Sequence, residues 1–254
     1  MAAISRIRVR EGTATDVDAI VDIYCAAFSD NVMDQLMYPG GVSEDTRRKF
    51  AAKVLPRSTS EGGKEESFLC VAEYLPVGSP GDAPGEVVAF AKWALYREPR
   101  TEEEWKADEF KATTDTHGEG CDPSVINAFI GEMTRKQRDH AKGEAALFLG
   151  LIACNPARQR LGAGSALMKW GVDLADSLGL PCRLEASPAG YALYKKFGFE
   201  DFDVVDLPVT ERWGVANTNG SNWGQDIAVA LAGRAPEGVH RCVLMRRPPK
   251  SVAV

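Results

Sequence analysis

A chain of 254 residues, 44% hydrophobic and 26% charged, has the length and composition of an ordinary globular protein of one large domain or two small ones. Its formal net charge of −6 lacks the basic excess of a nucleic-acid binder, and no run approaches the ~18 apolar residues of a membrane span, so neither partner is expected. Cys25, Cys70, Cys121, Cys154, Cys182 and Cys242 form no CxxC pair and the three histidines are scattered, which argues against a zinc site, or any metal, and against a disulfide framework. MAAISRIRVREG has no apolar signal core, so a reduced, cytoplasmic protein is expected.

Residues 6–10 (RIRVR) alternate as a short strand. In 13-TATDVDAIVDIYCAAF-28, Val17, Ile20, Tyr24 and Phe28 recur at helical spacing, and Thr15 is placed to cap the start. A second helix is expected from Ser43 to about Leu55. The stretches 67-SFLCVAE-73 and 86-EVVAFAKWALY-96 read as strands of an antiparallel hairpin, joined by the Pro- and Gly-rich YLPVGSPGDAPG. Residues 97–142 are polar and helix-prone. Within them 122-DPSVINAFIGEMTRKQRDHAKG-143 reads as one helix, with Val125, Ile126, Phe129 and Met133 on its apolar face. This segment either packs on the sheet with a solvated face or roofs an acceptor pocket.

The apolar run 145-AALFLGLIAC-154 fits a strand buried on both faces. A glycine loop follows. Then Ala163, Leu167, Trp170, Leu174 and Leu178 make a helical stripe closed by Gly179. A strand at 182–185, a helix near 189–197 and a strand at 202–207 come next. The segment 208–238 holds Trp213 and Trp223, which either wall a pocket or are buried aromatics, and a last strand spans 239–246. The sum is a mixed α/β sheet in one domain, residues 1–254.

The loop 156-PARQRLGAGSALMKWG-171 opens a helix, where small residues commonly hold an anion. An ATP loop of the form GxxxxGK[ST] is excluded, because Ser165 follows Gly164 and no Lys follows a glycine here. A dinucleotide loop is a near match: Gly162-Ala163-Gly164 begins GxGxxG, and Glu185 stands where a ribose-binding acid would be. Leu167 occupies the place of the third glycine, and the stretch from Cys154 to Gly162 is long for a tight turn. The third reading is the order apolar strand, Gln159-Arg160-Leu161-Gly162-Ala163-Gly164, helix. This is Q/R-x-x-G-x-G/A, and it resembles the acetyl-CoA pyrophosphate loop of the GNAT superfamily of N-acetyltransferases. Gly162 and Gly164 let the backbone approach phosphates without an intervening Cβ, and Arg158 and Arg160 add positive charge. A second block, 184-LEASPAGYALYKKFGFEDFD-203, resembles that family's motif after its fifth strand, with Tyr194 to Phe199 (YKKFGF) matching its Y-x-x-x-G-F. The resemblance covers 145–207 well and the N-terminal half loosely. Residues 97–142 stand as a helical insertion and 208–238 as a long loop.

The resemblance implies a mostly antiparallel mixed sheet, splayed between its fourth and fifth strands and flanked by helices. It implies acetyl-CoA as co-substrate, and acyl transfer to a primary amine of a small molecule. Backbone groups near Ile152 and Cys154 would bind the pantetheine arm. The backbone from Gln159 through Arg160, Leu161, Gly162, Ala163, Gly164 and Ser165 would bind the pyrophosphate. Tyr194, at the cofactor sulfur, would be general acid; its alternative is a packed helix tyrosine bonded to a neighbour. Glu185 is the expected general base or ammonium ligand; its alternatives are a helix N-terminal carboxylate or an arginine partner. Ser187 caps the following helix or touches the cofactor. Cys154, in an apolar run with no evident activating base, is not expected to be a nucleophile. Competing functions are a non-catalytic acyl-CoA sensor and a dinucleotide-binding protein. A monomer or a homodimer is equally compatible.

Overall fold

The alternation in RIRVR becomes β1 (Arg6–Glu11) at one edge of a seven-stranded sheet in the computed structural model, which describes residues 6–56, 65–80, 83–107 and 109–250. Then come α1 (Val17–Phe28), α2 (Val32–Met37), α3 (Glu44–Val54), β2 (Glu65–Leu75) and β3 (Glu86–Tyr96). The 97–142 segment holds α4 (Glu102–Ala107), α5 (Thr114–His117), α6 (Pro123–Ile126) and α7 (Glu132–Ala141). β4 (Ala146–Cys154), α8 (Ala163–Leu178), β5 (Cys182–Ala186), α9 (Tyr191–Lys196) and β6 (Glu200–Pro208) follow. The chain closes with α10 (Val209–Trp213), α11 (Val229–Ala232) and β7 (Val239–Arg247). Strand order is β1-β2-β3-β4-β5-β7-β6, and every pairing is antiparallel except β4 with β5. This is the mixed, mostly antiparallel α/β sheet that the resemblance implied.

Several local expectations are corrected. Thr13, not Thr15, is the cap: it starts a 3-10 turn (Ala14–Asp16) that leads into α1, with the Thr13 N–H donating to the Asp16 carboxylate at 2.8 Å and its hydroxyl donating to the same oxygen at 3.0 Å. Asp16 wins because Arg10 also holds it, at 2.7 Å, which ties the helix start to β1. The short helix α2 was not anticipated; Asn31 starts it by accepting from the Met33 N–H at 2.8 Å. The helix expected over 122–143 runs from Pro123 to Ala141 but contains a π turn at Asn127–Gly131. There the Asn127 side chain clasps both the N–H and the C=O of Ala112, at 2.8 and 3.0 Å. The long loop 208–238 contains α10 and α11.

The stripe on α8 is rotated from the one expected. Leu167, Met168, Val172 and Ala175 are its buried centre, while Trp170, Leu174 and Leu178 pack at the margin. Gly171 sets that rotation. The Trp93 ring from β3 lies so close that a Cβ on Gly171 would stand 2.1 Å from Trp93 Cζ2. Trp93 is fully buried and has no room to withdraw. Gly171→Ala is therefore expected to destabilise the fold by about 1–3 kcal/mol, although alanine favours the helix itself by ~1 kcal/mol. A urea midpoint at or above the parent's would overturn this account of α8 packing.

Candidate active site

β4 and β5 are in register over three pairs only, Leu147 with Cys182, Phe148 with Arg183 and Leu149 with Leu184. Beyond Leu149, β4 stays with β3 and β5 stays with β7. A bulge explains the parting. Lys92 pairs with Leu151 but Trp93 pairs with Leu149, so Gly150 is an extra residue on β4 and bends that strand away. The expectation that β4 is buried on both faces therefore fails in its second half. Gly150 is exposed, and Leu151, Ile152 and Cys154 are only half-buried, because they border the gap.

A cavity of about 570 Å³ fills the gap and runs under the N-terminus of α8. Ile152, Cys154, Gln159, Arg160, Gly162, Ala163, Gly164, Ser165 and Tyr194 all line it. Leu161 does not, and its side chain is 39% exposed. The left-handed residues on either side, Arg160 at φ 64° and Gly162 at φ 87°, turn the chain so that Leu161 faces outward. No side chain caps α8, a helix of 16 residues. Its first-turn N–H groups therefore supply the positive end of the helix dipole to the cavity. Arg160 also lines the cavity, and none of the described carboxylates pairs with it. Arg158 is committed elsewhere: it pairs with Glu86 at 2.7 Å and lies over the Tyr74 ring. The Gly164 N–H donates to the Cys154 sulfur, yet burial dominates and raises that thiol above its ordinary range. No base among the described residues activates it.

Tyr194 and Glu185 stand where this cavity meets a second one of about 330 Å³. Phe28, Ile152, Ser187 and Tyr194 border both cavities, and Glu185 borders the second. Tyr194 is buried, but its hydroxyl makes no hydrogen bond to a described residue, so the packed tyrosine bonded to a neighbour is not what is found. Its ring fits only because residue 190 is glycine: a Cβ there would be 2.9 Å from the hydroxyl oxygen. Burial, with smaller contributions from the thiol of Cys154 and the carboxyl of Glu185, pushes the phenol well above its usual pKa, so it keeps its proton. Burial also pushes the Glu185 carboxyl up to about 7, against the lowering effect of hydrogen bonds from its own N–H and from Gln137. No arginine or lysine among the described residues pairs with Glu185. Ser187 does not cap α9, whose N-cap is Gly190 with no side-chain hydrogen bond; its hydroxyl accepts from the Gly190 N–H at 3.4 Å in the preceding turn, and it borders both cavities.

Gln137 and Asp34 escaped the sequence reading. Buried Gln137, on α7, accepts from Arg183 at 3.1 Å and donates to the Leu184 carbonyl at 3.3 Å, so it ties α7 to β5 beside Glu185. Asp34, on α2, borders the second cavity with Phe129, Ile130, Met133 and Thr134 of the 97–142 segment, which therefore does roof a pocket. Trp213 and Trp223 line neither cavity and pack in the core beside β6 and β7, with Trp223 only 2% exposed. Lys195 pairs with Asp201 at 3.2 Å, and Lys196 is exposed. Among the described residues no three His, Cys, Asp or Glu side chains group as a metal site, and no helix is long and apolar enough to cross a membrane.

Residues 82–199 match the family model of the acetyltransferase (GNAT) family. The whole fold is similar to that of histone acetyltransferase HPA2 and related acetyltransferase from Corynebacterium glutamicum, with TM-score 0.51, 18% identity and 100% of both chains covered. It is similar to mosquito arylalkylamine N-acetyltransferase-like 5b, with TM-score 0.55 and 15% identity over 96% of this chain and 100% of that one. It is also similar to Drosophila melanogaster polyamine N-acetyltransferase, with TM-score 0.55 and 12% identity over 96% of this chain and 100% of that one. At such identities the likeness is one of fold. The parted β4 and β5, the glycine loop on α8 and the block from Tyr194 to Phe199 all fall within the segment 82–199 that matches the GNAT family of acetyltransferases.

Proposed function

We propose that this chain, as one domain, moves an acetyl group from acetyl-CoA directly to a primary amine of a small molecule. The observation that carries the reading is the junction of two cavities at Tyr194, with Glu185 in the wall of the second. The larger cavity suits the co-substrate chemically. It has an uncapped helix N-terminus and Arg160 for phosphate, glycines where a Cβ would intrude, and a β4 edge that β5 has left unpaired. When bound, acetyl-CoA supplies an acetyl thioester and a thiolate leaving group.

The protein's own residues do the rest. Main-chain groups of Ile152 and Cys154 bind the amide arm as an added strand. An N–H on that edge polarises the acyl carbonyl. The backbone from Gln159 to Ser165, apart from outward-facing Leu161, holds the pyrophosphate. Glu185 takes the proton that the amine loses as the C–N bond forms. Tyr194 gives a proton from its hydroxyl oxygen to the sulfur as the C–S bond breaks. Cys154 stays a protonated thiol, which favours direct transfer over an acylated cysteine.

The test is thiol release from acetyl-CoA across amines, polyamines, amino acids and peptides. Turnover with small amines is the expected result; CoA binding without release from any of them would make the chain a sensor. In the same assay Tyr194→Phe is expected to lower kcat by about tenfold with CoA affinity unchanged. An unaltered kcat would remove Tyr194 from the reaction.

A further inference from the structure

Resting on the acyl-transfer reading, we propose that the acceptor carries two cationic groups, the amine that reacts beside Glu185 and a second ammonium or guanidinium held by Asp34. The wall of the second cavity has two charged side chains, Asp34 and Glu185, both carboxylates, and no lysine, arginine or histidine. They come from separate elements, α2 and β5, and line one cavity whose wall also includes the apolar Phe28, Met37, Phe129 and Met133. A chain of methylenes suits such a wall, and aromatic faces favour a cation passing over them.

Asp34 has no countercharge among the described residues. Its one side-chain hydrogen bond is a long one, donated by the Tyr24 hydroxyl at 3.4 Å, and no described cation pairs with it. Burial pushes its carboxyl up to about 7, the state of a carboxylate short of a positive partner. A singly charged amine at Glu185 would leave Asp34 unpaired in the same cavity. A second cation on the ligand satisfies both carboxylates through charge-assisted hydrogen bonds. Asp34 also borders a side chamber of about 290 Å³, where Arg47 stands. Arg47 is held there by Asp22 and donates to the Cys25 sulfur at 3.2 Å, so its charge discourages a cation from entering that chamber. The second cation belongs on the Glu185 side of Asp34.

Calorimetry with CoA present, using α,ω-diaminoalkanes and n-alkylamines of matched chain length, tests this without requiring turnover. The best diamine is expected to bind about tenfold or more tightly than its monoamine counterpart, and Asp34→Asn is expected to shrink that ratio to about threefold or less. Equal binding of the two series to the parent protein, which needs no variant, overturns the proposal. So does an undiminished ratio in Asp34→Asn. Thiol release run in parallel separates the two readings. Diamine preference without release supports charge recognition and defeats acyl transfer. Release at equal kcat/KM from diamine and monoamine supports transfer and defeats the second cation.

Discussion

Glu185→Gln lowers kcat by about a hundredfold or more and abolishes the rise of kcat/KM with pH. In the parent that rise is expected to centre on the Glu185 carboxyl, which burial holds at about 7. Below that pH the carboxyl is protonated and cannot accept the amine's proton; above it the base is available. Glutamine keeps the shape and loses the basicity, so the rate falls across the whole range and the limb disappears. A variant with the parent's rate and pH profile would sink the assignment. The same carboxyl makes a separate stability forecast. Its folded pKa lies above its ordinary value of 4.5, so its contribution is fully present below about 4.5 and is lost as pH rises through about 7. Glu185→Gln removes that loss. Its unfolding midpoint relative to the parent's is expected to improve on going from pH 5 to pH 8. Gln137→Leu, which deletes a hydrogen bond that lowers the Glu185 pKa, is expected to move the activity limb to higher pH.

Gly164→Val removes CoA binding, with affinity down by about a hundredfold or more, while the protein folds normally. The choice of glycine matters. Gly162 has φ 87°, where any side chain strains the backbone, so a loss of binding there would be confounded with misfolding. Gly164 has ordinary helical backbone, and a Cβ on it would stand 3.4 Å from Cys154 Sγ and 3.5 Å from Leu193 Cδ2, normal contact distances. The fold accepts the substitution, since valine is no poorer a helix former than glycine. The added methyls enter the mouth of the larger cavity, where the phosphates need close approach to backbone N–H groups. Calorimetry with CoA and a urea melt settle it together: retained affinity with an intact fold overturns the loop's role.

Much of this was legible because the information is local. The order strand, glycine loop, helix is carried by contiguous residues, so Gly162, Gly164 and Tyr194 stood out before any fold was known. Hydrophobic alternation placed β1, strand-forming runs on either side of a Pro- and Gly-rich loop placed β2 and β3, and the apolar run placed β4. The capping error at Thr15 has the opposite origin. Thr13 and Thr15 are both good local caps, and Arg10, on a different element, decides between them by fixing Asp16. The stripe on α8 was misplaced for a similar reason: apolar spacing alone does not reveal that Trp93 demands a glycine opposite it.

From its residues alone, then, this chain declares its resemblance to a family, its candidate anion loop and its two candidate proton-transfer groups, because each is written in short segments whose backbone needs are specific. Tertiary structure decides the proposed acceptor side. Asp34 lies far along the chain from Phe129 and Gln137, and none of the three carries a motif. They acquire meaning only when the Gly150 bulge parts β4 from β5 and the helices α2 and α7 border the opening. The charge environment follows the same division. A glutamate and an aspartate are ordinary acids in sequence, and it is burial in a shared space without a cation that raises both to about 7.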